Sequence, residues 1–96
     1  MKPCVYILAS RPGGAIYVGM TTNIRQRLET HHAGLVRHTQ RYSIKRLVYI
    51  EGYETIEDAV IRENRLKTWK RAWKIALIER INPRWRDLSR IPGWLD

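Results

Sequence analysis

Residues 4–9, Cys4-Val5-Tyr6-Ile7-Leu8-Ala9, are apolar at odd and even positions alike. A strand with one wet face alternates apolar and polar side chains, so a β-branched, aromatic run without alternation fits a strand covered on both faces. The rest of the chain must then supply a layer for each face. With 96 residues it does so as one domain with a modest core.

The flanking segments can build such layers. Ser10-Arg11-Pro12-Gly13-Gly14 is a turn, and Ala15 to Met20 reads as the return strand of a hairpin. A five-residue loop does not fix register, so spacing alone does not place Tyr6 and Tyr17 on one face. Thr21, Thr22 and Asn23 are candidate N-caps for a helix over Ile24 to His32, closed by Gly34. Leu47-Val48-Tyr49-Ile50 is a third strand. Thr55, with Asp58 three residues on, opens a helix whose stripe begins Ile56, Ala59, Val60. A last helix is expected from Trp69 to Ile81, with Ala72, Trp73, Ala76 and Leu77 on one face, and Asn82-Pro83 ends it. The tail carries Trp85, Leu88, Ile91 and Trp94, so it is expected to pack on the body, and it also offers a surface for a protein partner. There is no repeat or linker. The expected architecture is α/β (α+β) over 1–96: a small sheet with helices against it, in the order β-β-α-β-α-α.

Charge narrows the function. Eighteen Lys and Arg face nine Asp and Glu, a formal charge of +9, and 13 of the cations are Arg. Arginine's planar fork fits phosphate oxygens, which makes nucleic acid the natural partner and lipid headgroups the rival. No apolar run approaches the ~20 residues of a membrane span, and the start lacks a secretory signal's apolar stretch, so a cytoplasmic location is expected. The single Cys4 excludes an internal disulfide and a multi-cysteine zinc site. The acids crowd between Glu51 and Glu63, so that stretch answers to something besides phosphate.

The informative residues are polar ones on apolar stripes. Glu63 falls on the inward side of the helix after Thr55, where a carboxylate needs a partner. An ion pair with a buried Arg, a metal ligand and a stripe edge that reaches water are all open readings. Arg27 and His31, four apart, flank the inward side of the first helix, suited to a phosphate or carboxylate and to a proton, unless that flank is simply a solvated face. Tyr6 and Tyr17 sit on strands, where a core role is the ordinary one. Gly19, two after Tyr17, permits close approach of another backbone or a ligand. Ser10, Ser43 and Ser89 lack an elbow motif, and Gly13-Gly14 is too short for a phosphate loop.

Taken in order, Cys4-Val5-Tyr6, Tyr17-Val18-Gly19, Arg27-Leu28-Glu29-Thr30-His31 with Gly34, Leu47 to Glu51, Arg62 to Lys67, and Asn82 to Leu88 resemble the GIY-YIG nuclease family. The likeness is nearest to its small stand-alone members and extends to the nuclease module of the bacterial excision-repair incision subunit. The first motif has Cys4 where the name-giving glycine sits, but its tyrosine is retained. The resemblance implies a three-stranded antiparallel sheet flanked by helices, and a DNA endonuclease of repair, recombination or nucleic-acid turnover that uses one Mg²⁺ or Mn²⁺ ion. It implies that Glu63 holds the metal and that Arg27 stabilises charge on the scissile phosphate. Tyr17 would be base or orienter for the attacking water, Tyr6 and His31 would support it, and Asn82 would help order the site. His31 stays open as the alternative base, because a phenol is a poor base at neutral pH unless cations favour its phenolate. Arg25, Lys67, Arg71 and Lys74 are expected to contact nucleic acid. The rival reading is a binding module of the same fold that cuts nothing.

Overall fold

The computed structural model describes residues 2–95. Strands β1 (Cys4–Ala9), β2 (Ile16–Thr21) and β3 (Arg46–Gly52) form one antiparallel sheet in the order β2-β1-β3. All six side chains of β1 are buried, as its unbroken apolar run requires. Val5, Ile7 and Ala9 pack with α3 (Ile56–Thr68) and α4 (Arg71–Ile81) through Ala59, Leu66, Leu77 and Ile78. Cys4, Tyr6 and Leu8 pack with α1 (Ile24–His32) through Ile24 and Leu28, and with Leu88 of the tail. A five-residue helix, α2 (Arg37–Arg41), precedes β3, and no sequence pattern marks it. No helix among the described residues is long and apolar enough to cross a membrane.

The helix starts obey their caps. The Asn23 side chain accepts from the Gln26 N–H and the Thr55 hydroxyl from the Asp58 N–H. Gly34, at φ +74°, turns the chain out of α1.

Two stripes differ from expectation. On α3, Ile56 and Val60 are exposed, and the inward row is Ala59, Arg62, Glu63 and Leu66. The last helix begins at Arg71 because Trp69 and Lys70 are extended. Its buried residues are Leu77 and Ile78, while Trp73 is 54% exposed and meets Trp69 edge-on at 6.2 Å.

The tail does pack back. Trp85 (2% exposed) joins one core and Leu88 the other, so the chain wraps the outer edge of β3. Ile7 pairs with Tyr49 and Leu8 with Leu47, which leaves Val48 as an extra, bulged residue. Asn82 Nδ2 donates to the Val48 carbonyl (3.0 Å) and Asp87 Oδ1 accepts from the Leu47 N–H (3.4 Å). Side chains thus occupy backbone groups that an edge strand otherwise leaves open.

Candidate active site

Register resolves the question of the two tyrosines. Tyr6 pairs with Gly19 and Leu8 with Tyr17, so both phenols leave the same face of the sheet, 6.3 Å apart between ring centroids. A Cβ on Gly19 would lie 2.5 Å from Tyr6 Cζ and Oη. The close approach that Gly19 permits is therefore that of the Tyr6 phenol, lying across β2. Helix α1 follows β2 directly and turns Arg27 and His31 back over this face.

The result is one hydrogen-bonded chain. Arg27 Nε donates to Tyr6 Oη (3.1 Å), Tyr6 Oη lies 3.0 Å from His31 Nε2, and His31 Nδ1 lies 2.9 Å from Thr39 Oγ1. Thr39 Oγ1 donates to the Val36 carbonyl (3.0 Å). That last bond sets every proton before it. With its own proton on a carbonyl, the Thr39 hydroxyl accepts from His31 Nδ1–H, which leaves Nε2 to accept from Tyr6. Tyr6, His31 and Thr39 are fully buried. Burial, and then the charges of Arg27 and His32, push His31 down to about 4, so its ring is neutral at pH 7. Burial pushes Tyr6 up to about 12 despite the hydrogen bond from Arg27. Arg27, half-buried, also hydrogen-bonds Tyr17, whose ring meets His31 edge-on at 5.2 Å. Among the described residues Arg27 has no acidic partner.

The other expected site residues lie apart from this chain. Glu63 is on α3, which packs against β1 and β2 from the opposite face of the sheet. Its side chain is 19% exposed and meets the more exposed Lys67 Nζ at 3.3 Å. Asn82 is on the far side of β1, and its amide is fully engaged with the Val48 and Arg86 carbonyls and the Arg86 N–H. It orders the tail and the bulge of β3. The Arg–carboxylate pair left open for Glu63 forms instead at the half-buried Glu51: Arg62 Nε lies 2.7 Å from Glu51 Oε1, which also accepts from Tyr53 Oη at 2.7 Å, and Tyr49 Oη bonds the other oxygen.

Of the cations expected on nucleic acid, Arg71 donates to the Gly13 and Gly14 carbonyls (2.9 and 2.6 Å) and clamps the β1–β2 turn. Arg25 reaches the Leu95 carbonyl at 3.3 Å, and Lys74 is half-buried. Thr39 is the member of the hydrogen-bonded chain that the sequence does not signal. It lies on the short α2, where no periodicity marks it.

For the expected Mg²⁺, the donor chemistry is adequate. Glu51 is saturated by three partners, whereas Glu63 is an inward carboxylate with one exposed lysine beside it. Mg²⁺ is commonly held by one or two carboxylates, with waters and substrate phosphate completing its shell. Among the described residues no three His, Cys, Asp or Glu cluster, so a zinc-like cage is not built.

Comparison with known proteins agrees with this fold. A family model described as the GIY-YIG catalytic domain matches residues 2–76. A UPF0213 protein of Staphylococcus haemolyticus is 35% identical over 79 residues, covering 81% of this chain and 95% of that one. A UPF0213 protein of Staphylococcus aureus is 36% identical over 76 residues, covering 78% and 92%. The solution NMR structure of a UPF0213 protein from Bacillus halodurans superposes with a TM-score of 0.58 at 26% identity, covering 96% of this chain and 98% of that one.

Proposed function

The chain belongs to the GIY-YIG family, whose members are endonucleases, and from that membership we propose that it hydrolyses DNA phosphodiester bonds with a divalent metal ion, Mg²⁺ or Mn²⁺. Its place is in repair, recombination or turnover of nucleic acid in the cytoplasm. The observation that carries this reading is Arg27: a half-buried guanidinium held by two tyrosine hydroxyls and matched by no carboxylate among the described residues. Such a group is a ready partner for a phosphate.

In the reaction, Arg27 donates its remaining N–H groups to the non-bridging oxygens as charge grows on phosphorus. Tyr17, hydrogen-bonded by Arg27 and not fully buried, orients the attacking water through its phenol oxygen, and the water's proton passes to bulk solvent. His31 does not serve as a direct base, since it is buried and both ring nitrogens are engaged. Tyr6 and His31 are positioning residues that fix Arg27 through its Nε. Glu63 would hold the metal ion, which would supply neutralisation of charge on the phosphate and the departing oxygen. Asn82 contributes by anchoring the tail.

The test is cleavage of plasmid and of single-stranded, duplex and branched oligonucleotides across Mg²⁺ and Mn²⁺. Wild type cuts at least one of these, and Glu63→Gln lowers the rate by about a hundredfold or more while anisotropy shows retained binding (the scale of removing one charge-stabilising element at the reacting phosphate). Tight binding with no cutting of any substrate instead establishes a non-catalytic binding module, the reading that the Lys67–Glu63 ion pair favours.

A further inference from the structure

A cleft of about 730 Å³ opens where β1 ends and β3 begins, lined by His32, Lys45, Arg46, Arg86, Asp87 and Arg90 among others. Sequence periodicity singles out none of the cations Lys45, Arg46, Arg86 and Arg90, because they come from separate segments. The only acid among the described lining residues is Asp87, and it is occupied: Oδ1 accepts from Ser89 N and Oγ and from Leu47 N, while Oδ2 lies 3.7 Å from Arg90 Nε. Arg46 donates Nη1 to the Trp85 carbonyl (3.0 Å), which fixes its guanidinium and leaves further N–H groups. His32 Nε2 donates to the Lys45 carbonyl (2.9 Å) and ties α1 to the cleft wall. Among the described residues Lys45 and Arg86 have no acidic partner.

Four cations converging on one concavity repel each other in a chain already at +9, and the same arrangement focuses a strong positive potential. The cleft is much larger than one phosphate needs. It also adjoins the hydrogen-bonded chain, since His32 directly follows His31. The whole molecule measures 30 × 28 × 28 Å, so the cleft and Arg27 fall within roughly one turn (~34 Å) of a duplex.

We propose that the cleft between α1, β3 and the tail is a second phosphate-binding site that grips the substrate's backbone several nucleotides from the scissile bond. The identity of the ligand as nucleic acid rests on the nuclease reading.

The experiment measures binding of a fluorescent oligonucleotide against salt concentration for wild type, for Lys45→Ala/Arg86→Ala, and for Lys2→Ala/Arg80→Ala. The last removes equal charge outside the cleft. Each phosphate that a variant no longer neutralises lowers the log–log salt slope by about 0.7–0.9, so the cleft variant is expected to fall by roughly 1.5 and the control by far less. Equal slopes in wild type and cleft variant overturn the proposal and leave the nuclease reading intact. A reduced slope in a protein that cuts nothing upholds the cleft and refutes the nuclease. No oligonucleotide binding by wild type overturns both. Inorganic phosphate shifting the Lys45 and Arg86 amide resonances as strongly as the oligonucleotide does identifies a small-anion site and also overturns it.

Discussion

Two clusters in this molecule are built from the same side chains and end in opposite electrostatic states. In one, Arg62, Tyr49 and Tyr53 converge on Glu51 and tie α3 to β3. Burial alone would raise Glu51, yet the hydrogen bonds from Arg62 and the two phenols hold its carboxyl below the ordinary range. In the other, Arg27 meets Tyr6 and Tyr17, and the chain ends at a neutral histidine and a backbone carbonyl. A carboxylate closes the first cluster, while the second keeps a net positive charge at a rim of the sheet. An arginine among tyrosines is therefore a clamp or an anion site according to whether an acid completes it.

The largest effect expected from that contrast is catalytic. Arg27→Ala should lower cleavage by about 10²–10³-fold, the scale of one preorganised charge-stabilising donor. Arg27→Lys should recover little, because an ammonium cannot hold Tyr6 through Nε and present a fork as well. Single-turnover cleavage rates check both. A rate unchanged in Arg27→Ala would show that the uncompensated charge has no part in the chemistry.

Acid should separate the clusters by pH window. His31 is depressed to about 4 from an ordinary 6.5, so the unfolded chain binds the extra proton first. Its contribution, on the order of 3 kcal/mol at most, is present above pH 6.5 and lost as pH falls toward 4. Glu51 is also depressed, so its contribution is present above its ordinary 4.5 and is lost at lower pH, as pH falls through its folded value. Urea midpoints from about pH 7 down to about pH 3 should show two successive losses, with His31→Gln removing only the upper one.

Stability sharpens the comparison further. Arg62→Ala leaves a half-buried carboxylate without its cation and should cost roughly 2 kcal/mol, read from the urea midpoint. Discounting for the partial exposure of both groups, that is below the usual loss for a fully buried pair. The change should leave the His31 pH window untouched.

Much of this is legible in the chain itself. The unbroken apolar run announces a doubly covered β1, Asn23 and Thr55 mark their helices, and Glu63 stands out on its stripe. What spacing leaves hidden shares a cause: side chains governed by tertiary partners instead of period. Trp73 reads as core from its spacing to Leu77, yet it is 54% exposed and spends its ring on Trp69 and Lys70. Asn82 matches a family motif, but its local partner is a bulge carbonyl that no spacing reveals. The shared face of Tyr6 and Tyr17 requires the hairpin register, and Gly19 is explained only by the Tyr6 phenol that lies above it.

Thr39 is the sharpest remaining probe, because it controls the second cluster without approaching a substrate. Its hydroxyl sends its proton to Val36 and thereby fixes the His31 tautomer, the direction of the Tyr6 proton and the acceptor offered to Arg27. Thr39→Val keeps the shape and removes the acceptor. The cost to stability should be about 1 kcal/mol, the low end for an unsatisfied buried donor, because the ring can adopt the other tautomer. That escape has a consequence: with Nε2 protonated, Tyr6 must reverse its hydrogen bond and can no longer accept from Arg27 on the same terms. Imidazole ¹⁵N shifts should therefore report a Nδ1–H ring in wild type and a mixed or Nε2–H ring in Thr39→Val, with Thr39→Ser restoring the first. Cleavage should fall alongside the tautomer and recover in Thr39→Ser. A variant that loses stability but keeps both the Nδ1–H signature and the rate reduces Thr39 to packing, and with it the claim that the cluster is a directed chain.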